Sequence, residues 1–167
     1  MTNTRFGSAT VELPTDTQIL ITRRFDAPAP LVFAALTTPE HVRRWWGWSS
    51  SEMIVCDIDL RVGGRWRYVV RDEHGSEFGW HGEYTELDAP GRMVSSEVFE
   101  GFPDAASLNT TMLTEADVKK HKVITDAVHA EGTNNRLYYP SCHQIMDEDD
   151  KRLLLARLYV ERCIAFE

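Results

Sequence analysis

Six large rings carry the strongest chemical signal in this sequence: Trp45, Trp46, Trp66, Tyr68, Trp80 and Tyr84. Between Arg65 and Arg71 the chain alternates, with Trp66, Tyr68 and Val70 on one face and Arg65, Arg67 and Arg71 on the other. Such alternation marks a strand buried on one side only. Phe78, Trp80, Gly82 and Tyr84 repeat the pattern, opposite His81, Glu83 and Thr85. Rings gathered on one sheet face bury about 150–250 Å² each and make an apolar surface with a few polar tips. Two readings stand: an ordinary core, or a cavity that holds an apolar molecule. In the second, the Tyr68 and Tyr84 hydroxyls turn inward and need partners, which a ligand or a buried water could supply.

Other chemistry-bearing residues fit no reaction pattern. Arg67 and Glu83 are placed for a cross-strand ion pair on the outer face, and Asp57 and Asp59 share a strand face at i, i+2. His121, His129, Cys142 and His143 match no zinc spacing, and no CxxC occurs. There is no GxSxG around Ser49-Ser50-Ser51, no GxGxxG and no Walker loop. His41 and His74 read as surface. The expectation is therefore no catalytic residue, no metal and no cofactor.

These rings need elements to hold them. Gln18–Phe25 reads as a first strand, and residues 1–16 as a polar N-terminal extension. Asp26 is placed to cap a helix that carries Leu31, Val32, Ala35 and Leu36, with Pro28 in its first turn. Thr37 and Glu40 have capping-box spacing for a second short helix, which Gly47 ends. Strands follow at Met53–Leu60, Arg65–Arg71, Phe78–Thr85, Met93–Phe99 and, more weakly, Ser107–Glu115. Turns lie at Val62-Gly63-Gly64, Glu73–Ser76 and Asp88–Gly91, and a loop at Glu100–Asp104. Lys122–Val128 reads as a further strand. Turns are predicted at 133–135 and 139–141. A long apolar helix over Lys151–Phe166 closes the chain, with acids at 147–150 before its N-terminus. The order predicts an α+β fold, with one curved antiparallel sheet wrapped around the last helix. One helix cannot fill such a sheet, and the gap is the expected ligand site.

At 167 residues, 43% hydrophobic and 26% charged, the chain reads as a single globular domain. Its net charge of −8 disfavours nucleic acid and anionic membranes. No apolar run is long enough for a membrane span, and no secretory leader is read at Met1–Arg5. Three cysteines without framework spacing suit a reducing cytoplasm. Neither composition nor motif specifies an oligomeric state. A seam lies near residue 119: all five Trp and no Lys precede it. The seam reads as a boundary, a join, an altered reading frame, or drift within one domain.

Several stretches resemble the activator of heat-shock protein 90 ATPase-like family of the START-like (SRPBCC) helix-grip superfamily. They are Asp26-Ala27-Pro28, Val32-Phe33, Ala35-Leu36-Thr37, Pro39-Glu40 and Trp45-Trp46-Gly47, then Asp59–Trp66, Gly82-Glu83-Tyr84, Asp88–Val94 and Phe99-Glu100-Gly101. The resemblance covers about residues 17–117, and residues 119–167 depart from the family pattern. It implies a helix-grip fold and a small, largely apolar ligand between sheet and helix, with Trp45, Trp66, Tyr68, Trp80 and Tyr84 as lining. Within the superfamily, the alternatives are an aromatase/cyclase-type enzyme and a co-chaperone-like interaction module.

Overall fold

The computed structural model describes residues 3–6, 9–15, 17–25, 27–48, 50–117 and 120–129. Its elements run β1 (Asn3–Phe6), β2 (Ala9–Thr15), β3 (Gln18–Phe25), α1 (Ala29–Thr37), α2 (Pro39–Trp45), β4 (Glu52–Ile58), β5 (Arg65–Arg71), β6 (Glu77–Asp88), β7 (Arg92–Phe99), β8 (Ala106–Asp117) and β9 (Lys120–His129). The fold is α+β, as the sequence predicts: two short helices and one large antiparallel sheet. The helix expected over Lys151–Phe166, the turns at 133–135 and 139–141, and Cys142 and His143 lie outside the described residues.

The sheet has nine strands in the order β1-β2-β3-β9-β8-β7-β6-β5-β4. β9 contains the predicted Lys122–Val128 strand and pairs on both sides, with β3 through Gln18↔Val128 to Phe25↔His121 and with β8 through Ser107↔His129 to Asp117↔Lys120. The compositional seam therefore falls at the β8–β9 connection, and the chain beyond it supplies an interior strand. The N-terminal stretch read as an extension instead forms β1 and β2, which extend the sheet from β3. Val and Thr in Ala9–Thr15 suit a pleated strand. Pro14, which cannot donate to a ladder, falls inside the register break between Glu12 and Thr15.

The helix starts differ from the expected ones. The N-cap of α1 is Pro28, with extended backbone and no side-chain cap; Asp26, the expected cap, lies outside the described residues. The Thr37 hydroxyl donates to the Phe33 carbonyl at 2.7 Å and is thus engaged within α1. The N-cap of α2 is Thr38, and no capping box forms. Pro39 fills the first position of α2, where the missing N–H costs nothing. α2 stops as expected: Trp46 is its C-cap and Gly47 follows with φ +101°, a conformation that L side chains rarely adopt.

Two apolar clusters hold these layers. Ala29 and Val32 of α1 pack on Leu113 of β8, with Phe25, Phe33 and Leu36 around them. The larger cluster joins α2 to β4, β5 and β6 through Val42, Cys56, Trp66, Tyr68, Val70, Trp80 and Tyr84.

The outer face of β5 and β6 is charged, but its pairing is not Arg67–Glu83. The register sets Glu83 opposite Arg65 and His81 opposite Arg67. Arg67 instead grips Glu100 with two bonds, 2.7 and 3.0 Å, and His81 Nδ1 lies 3.5 Å from the same carboxylate. The Arg67 guanidinium holds the Glu100 carboxyl below its ordinary 4.5. A lowered carboxyl value means that this pair stabilises the fold above pH 4.5 and ceases to as the pH falls through the folded value. Glu100→Gln should cost no more than about 1 kcal/mol at neutral pH, because the pair is partly solvated. The difference from wild type in urea midpoint should fade as the pH falls below 4.5.

Candidate functional site

Strand alternation puts Trp66, Tyr68, Trp80 and Tyr84 on the inner face of β5 and β6. All four are at most 5% exposed. Register sets Tyr68 opposite Trp80 and Trp66 opposite Gly82. Backbone bonds from Gly63 N–H to the Tyr84 carbonyl and from Tyr84 N–H to the Gly64 carbonyl tie Tyr84 to the β4–β5 turn. That turn fixes the end of the aromatic row.

α2 delivers a further ring to the row. Trp46, its C-cap, packs edge-on against three inner rings: 6.1 Å from Trp66, 4.7 Å from Tyr68 and 6.1 Å from Trp80. T-shaped contact at these spacings is the favoured aromatic geometry. Trp45 sits differently. It touches Trp46 at 5.6 Å, and its indole N–H donates to the Ala35 carbonyl at 2.9 Å, fastening α2 to α1. Of the five expected lining residues, the structure brings four together on the sheet and sets Trp45 at the helix junction.

The two buried hydroxyls partner each other. Tyr68 and Tyr84 are joined by a side-chain hydrogen bond. Burial pushes the Tyr84 phenol up to about 12 and Tyr68 well above its ordinary value, so both stay neutral at physiological pH. Tyr68→Phe or Tyr84→Phe alone should cost about 1–3 kcal/mol, since each leaves one buried hydroxyl without its partner. The double Phe variant should recover part of that loss. A double-mutant cycle from urea unfolding checks this, and additive losses would contradict the pairing.

Trp66 differs from the tyrosines. Its Nε1 is buried and has no hydrogen-bond partner among the described residues. A β carbon on Gly82 would lie 2.7 Å from that nitrogen, so the indole rests directly over Gly82.

Sequence reasoning missed the polar half of this face. Trp80 pairs with Phe99 and Tyr84 with Ser95, so Ser95, Glu97 and Phe99 of β7 also face inward. On β8, Ser107 lies opposite Glu97 and Asn109 opposite Ser95. Glu97 is 9% exposed, and its Oε2 accepts from Asn109 Nδ2 at 2.8 Å. Apolar residues fall on both faces of Met93–Phe99, so alternation alone does not mark the inner side. The signal that could have found Glu97 is the count from Tyr84 through the turn at Asp88–Gly91, and a bulge between Tyr84 and Glu86 shifts that count by one. Trp48, whose ring lies 5.5 Å from that of Phe78, was missed as well.

The polar groups singled out for other chemistry lie elsewhere. Asp57, Asp59, His41 and His74 are exposed. Cys56 is buried, and its thiol is pushed up to about 11 by burial, which makes it a poor nucleophile. The side chains of His121 and His129 are outside the described residues. Among the described residues, no helix is long and apolar enough to cross a membrane.

Comparison with known proteins bears on the fold. The family described as activator of Hsp90 ATPase homolog 1-like protein matches residues 26–147, running past the seam. A Rhodobacter sphaeroides protein of known structure is 19% identical, over 94% of this chain and 93% of its own, with a TM-score of 0.75. A Mycobacterium smegmatis protein is 23% identical, over 98% and 92%, with a TM-score of 0.67. A structure described as an HSP90 activator from Plasmodium falciparum is 21% identical, over 73% and 79%, with a TM-score of 0.55. No curated protein sequence matches the chain.

Proposed function

Because the chain belongs to the activator of Hsp90 ATPase homolog 1-like family, with the α+β fold that its START-like relatives share, we propose that it binds a small, largely apolar molecule against the inner aromatic face. The observation that carries the reading is the indole N–H of Trp66. It is a buried donor set among rings, with no partner among the described residues. An unsatisfied buried donor costs roughly 1–3 kcal/mol, a cost that a bound acceptor removes. Trp66, Tyr68, Trp80 and Tyr84 supply the apolar contact in this reading, with Trp46 across from them, and Trp45 steadies the helices that carry Trp46. The same reading treats residues 1–167 as one START-like domain, with residues 1–16 and 119–167 as its less typical ends. It places the domain in a reducing compartment such as the cytoplasm, where Cys56 remains a thiol.

The test is titration of the full chain with N-phenyl-1-naphthylamine, a neutral fluorescent apolar probe. Saturable one-to-one binding is expected. Trp46→Leu should weaken it about tenfold through lost ring contact, while Leu31→Ser, at a site 63% exposed on α1, should leave it unchanged. Binding that never saturates, or that is lost with Leu31→Ser alone, would overturn the reading. The second of those results would favour the interaction-module alternative.

A further inference from the structure

In register Arg67 lies between Asp57 on β4 and His81 on β6. Its guanidinium nonetheless reaches across β6 to Glu100, the first residue after β7. Two parallel bonds to one carboxylate fix direction as well as distance. Gly79 of β6 makes the reach possible, because a β carbon there would stand where the Glu100 carboxylate lies. The backbone adds a further tie, from the Glu100 N–H to the Gly79 carbonyl at 2.8 Å. Glu100 is thus held by β5 and β6 at the point where the chain leaves the sheet.

What Glu100 holds is the β7–β8 loop, residues 100–105. Within it, the Phe102 N–H donates to the Phe99 carbonyl at 2.9 Å and the Ala105 N–H to the Phe102 carbonyl at 3.1 Å. A β carbon on Gly101 would meet the Phe99 ring, so the loop backbone rests on that ring. The Phe102 ring follows at 6.0 Å from Phe99, which lies 5.2 Å from Trp80. One peptide unit therefore joins a charged anchor on the outer face to a ring on the inner one.

Resting on the apolar-ligand reading above, we propose that Glu100 is the latch of this loop: its grip on Arg67 keeps Phe99 and Phe102 closed over the end of the aromatic row and sets how fast a bound molecule leaves. The latch is built to release. The Arg67 and Glu100 side chains are 47% and 33% exposed, so water competes for both charges. Glu100 acts through the loop rather than on the ligand, and is a positioning residue.

Two readouts on the full chain test this: stopped-flow dissociation of N-phenyl-1-naphthylamine, and hydrogen exchange at the Phe102 and Ala105 amides. Glu100→Ala and Arg67→Met should each speed probe loss by up to about fivefold, the change that a partly exposed ion pair allows. Exchange at both amides should rise with it, as local opening requires. Gly79→Ala should do the same without removing a charge, because the added carbon displaces the carboxylate. Arg71→Met, which breaks the Arg71–Glu77 pair on the same face, should change neither readout. The contact is reached from three strand positions, so the test survives the loss of any one variant to misfolding. If the probe leaves every variant at the wild-type rate, the latch falls and the apolar-ligand reading stands. If Arg71→Met acts like Glu100→Ala, the effect belongs to surface charge in general and the latch falls as well. If the wild-type chain binds no probe, the apolar-ligand reading falls and takes the latch with it.

Discussion

Trp80→Ala should lower the free energy of unfolding by about 3–5 kcal/mol, the range for emptying a buried aromatic site. Trp80 is 3% exposed and lies between two layers. On the sheet its ring is 5.2 Å from Phe99, and toward α2 it is 6.1 Å from Trp46. Its truncation therefore removes contacts that hold a helix end to the sheet as well as contacts within the sheet. Relaxation can offset little of this. β6, which carries Trp80, is paired on both sides, with β5 and β7, and Trp46 is the C-cap of α2 just before Gly47. Urea unfolding at neutral pH measures the loss, and the slope should stay close to wild type if only packing has changed. A loss under about 1 kcal/mol would mean that the aromatic face is not close-packed around Trp80. The companion measurement is N-phenyl-1-naphthylamine binding under conditions where the variant is still folded. If the rings form the ligand surface, affinity falls along with stability. If they are core and nothing else, stability alone changes.

How far the sequence foretold this site depends on the range of the signal. The inner placement of Trp66, Tyr68, Trp80 and Tyr84 was legible because period-two alternation is a local property, and β5 and β6 express it without interruption. The same applied to the turns at Gly63-Gly64 and Gly75. What depended on pairing between strands was not legible. Arg67 and Glu83 were matched by proximity in sequence, yet the tight connection after Arg71 sets Arg71 opposite Glu77, which forces His81 opposite Arg67. Glu100, the real partner, comes from the far end of β7, a contact that no local pattern announces. Glu97 was hidden twice, by apolar residues on both faces of β7 and by the bulge that shifts its register. β9 was visible as a strand, but its position between β3 and β8 joins segments about a hundred residues apart, and only tertiary packing decides that. The polar look of residues 1–16 concealed two strands for a related reason. A strand near a sheet edge need not show the strong apolar face that periodicity detects.

Gly82→Ala should be the most damaging single-atom addition on the inner face, and its cause is contact rather than backbone angle. Gly82 does not require a positive φ; the positive values belong to Gly47, Gly63 and Gly75. A β carbon at Gly82 would instead run into the Ser96 carbonyl oxygen on β7 and lie 2.7 Å from Trp66 Nε1. Neither neighbour can yield cheaply. The carbonyl is backbone of the adjacent strand, and the indole is wedged against Tyr68 at 4.7 Å and Trp46 at 6.1 Å. Overpacking of this kind costs about 1–3 kcal/mol, and more when backbone has to move. Gly63→Ala is the matched control: nothing lies within 4 Å of the added carbon, and only its φ of +76° resists. That strain is worth about 1–2 kcal/mol and stays at the turn. The two variants should therefore separate in kind. Gly82→Ala should shift the Trp66 indole N–H resonance and weaken N-phenyl-1-naphthylamine binding, because the added carbon pushes the ring from its place on the aromatic face. Gly63→Ala should lower the unfolding midpoint and leave both readouts in place. If Gly82→Ala were as stable as wild type with an unmoved indole resonance, the close approach of β6, β7 and Trp66 would be wrong.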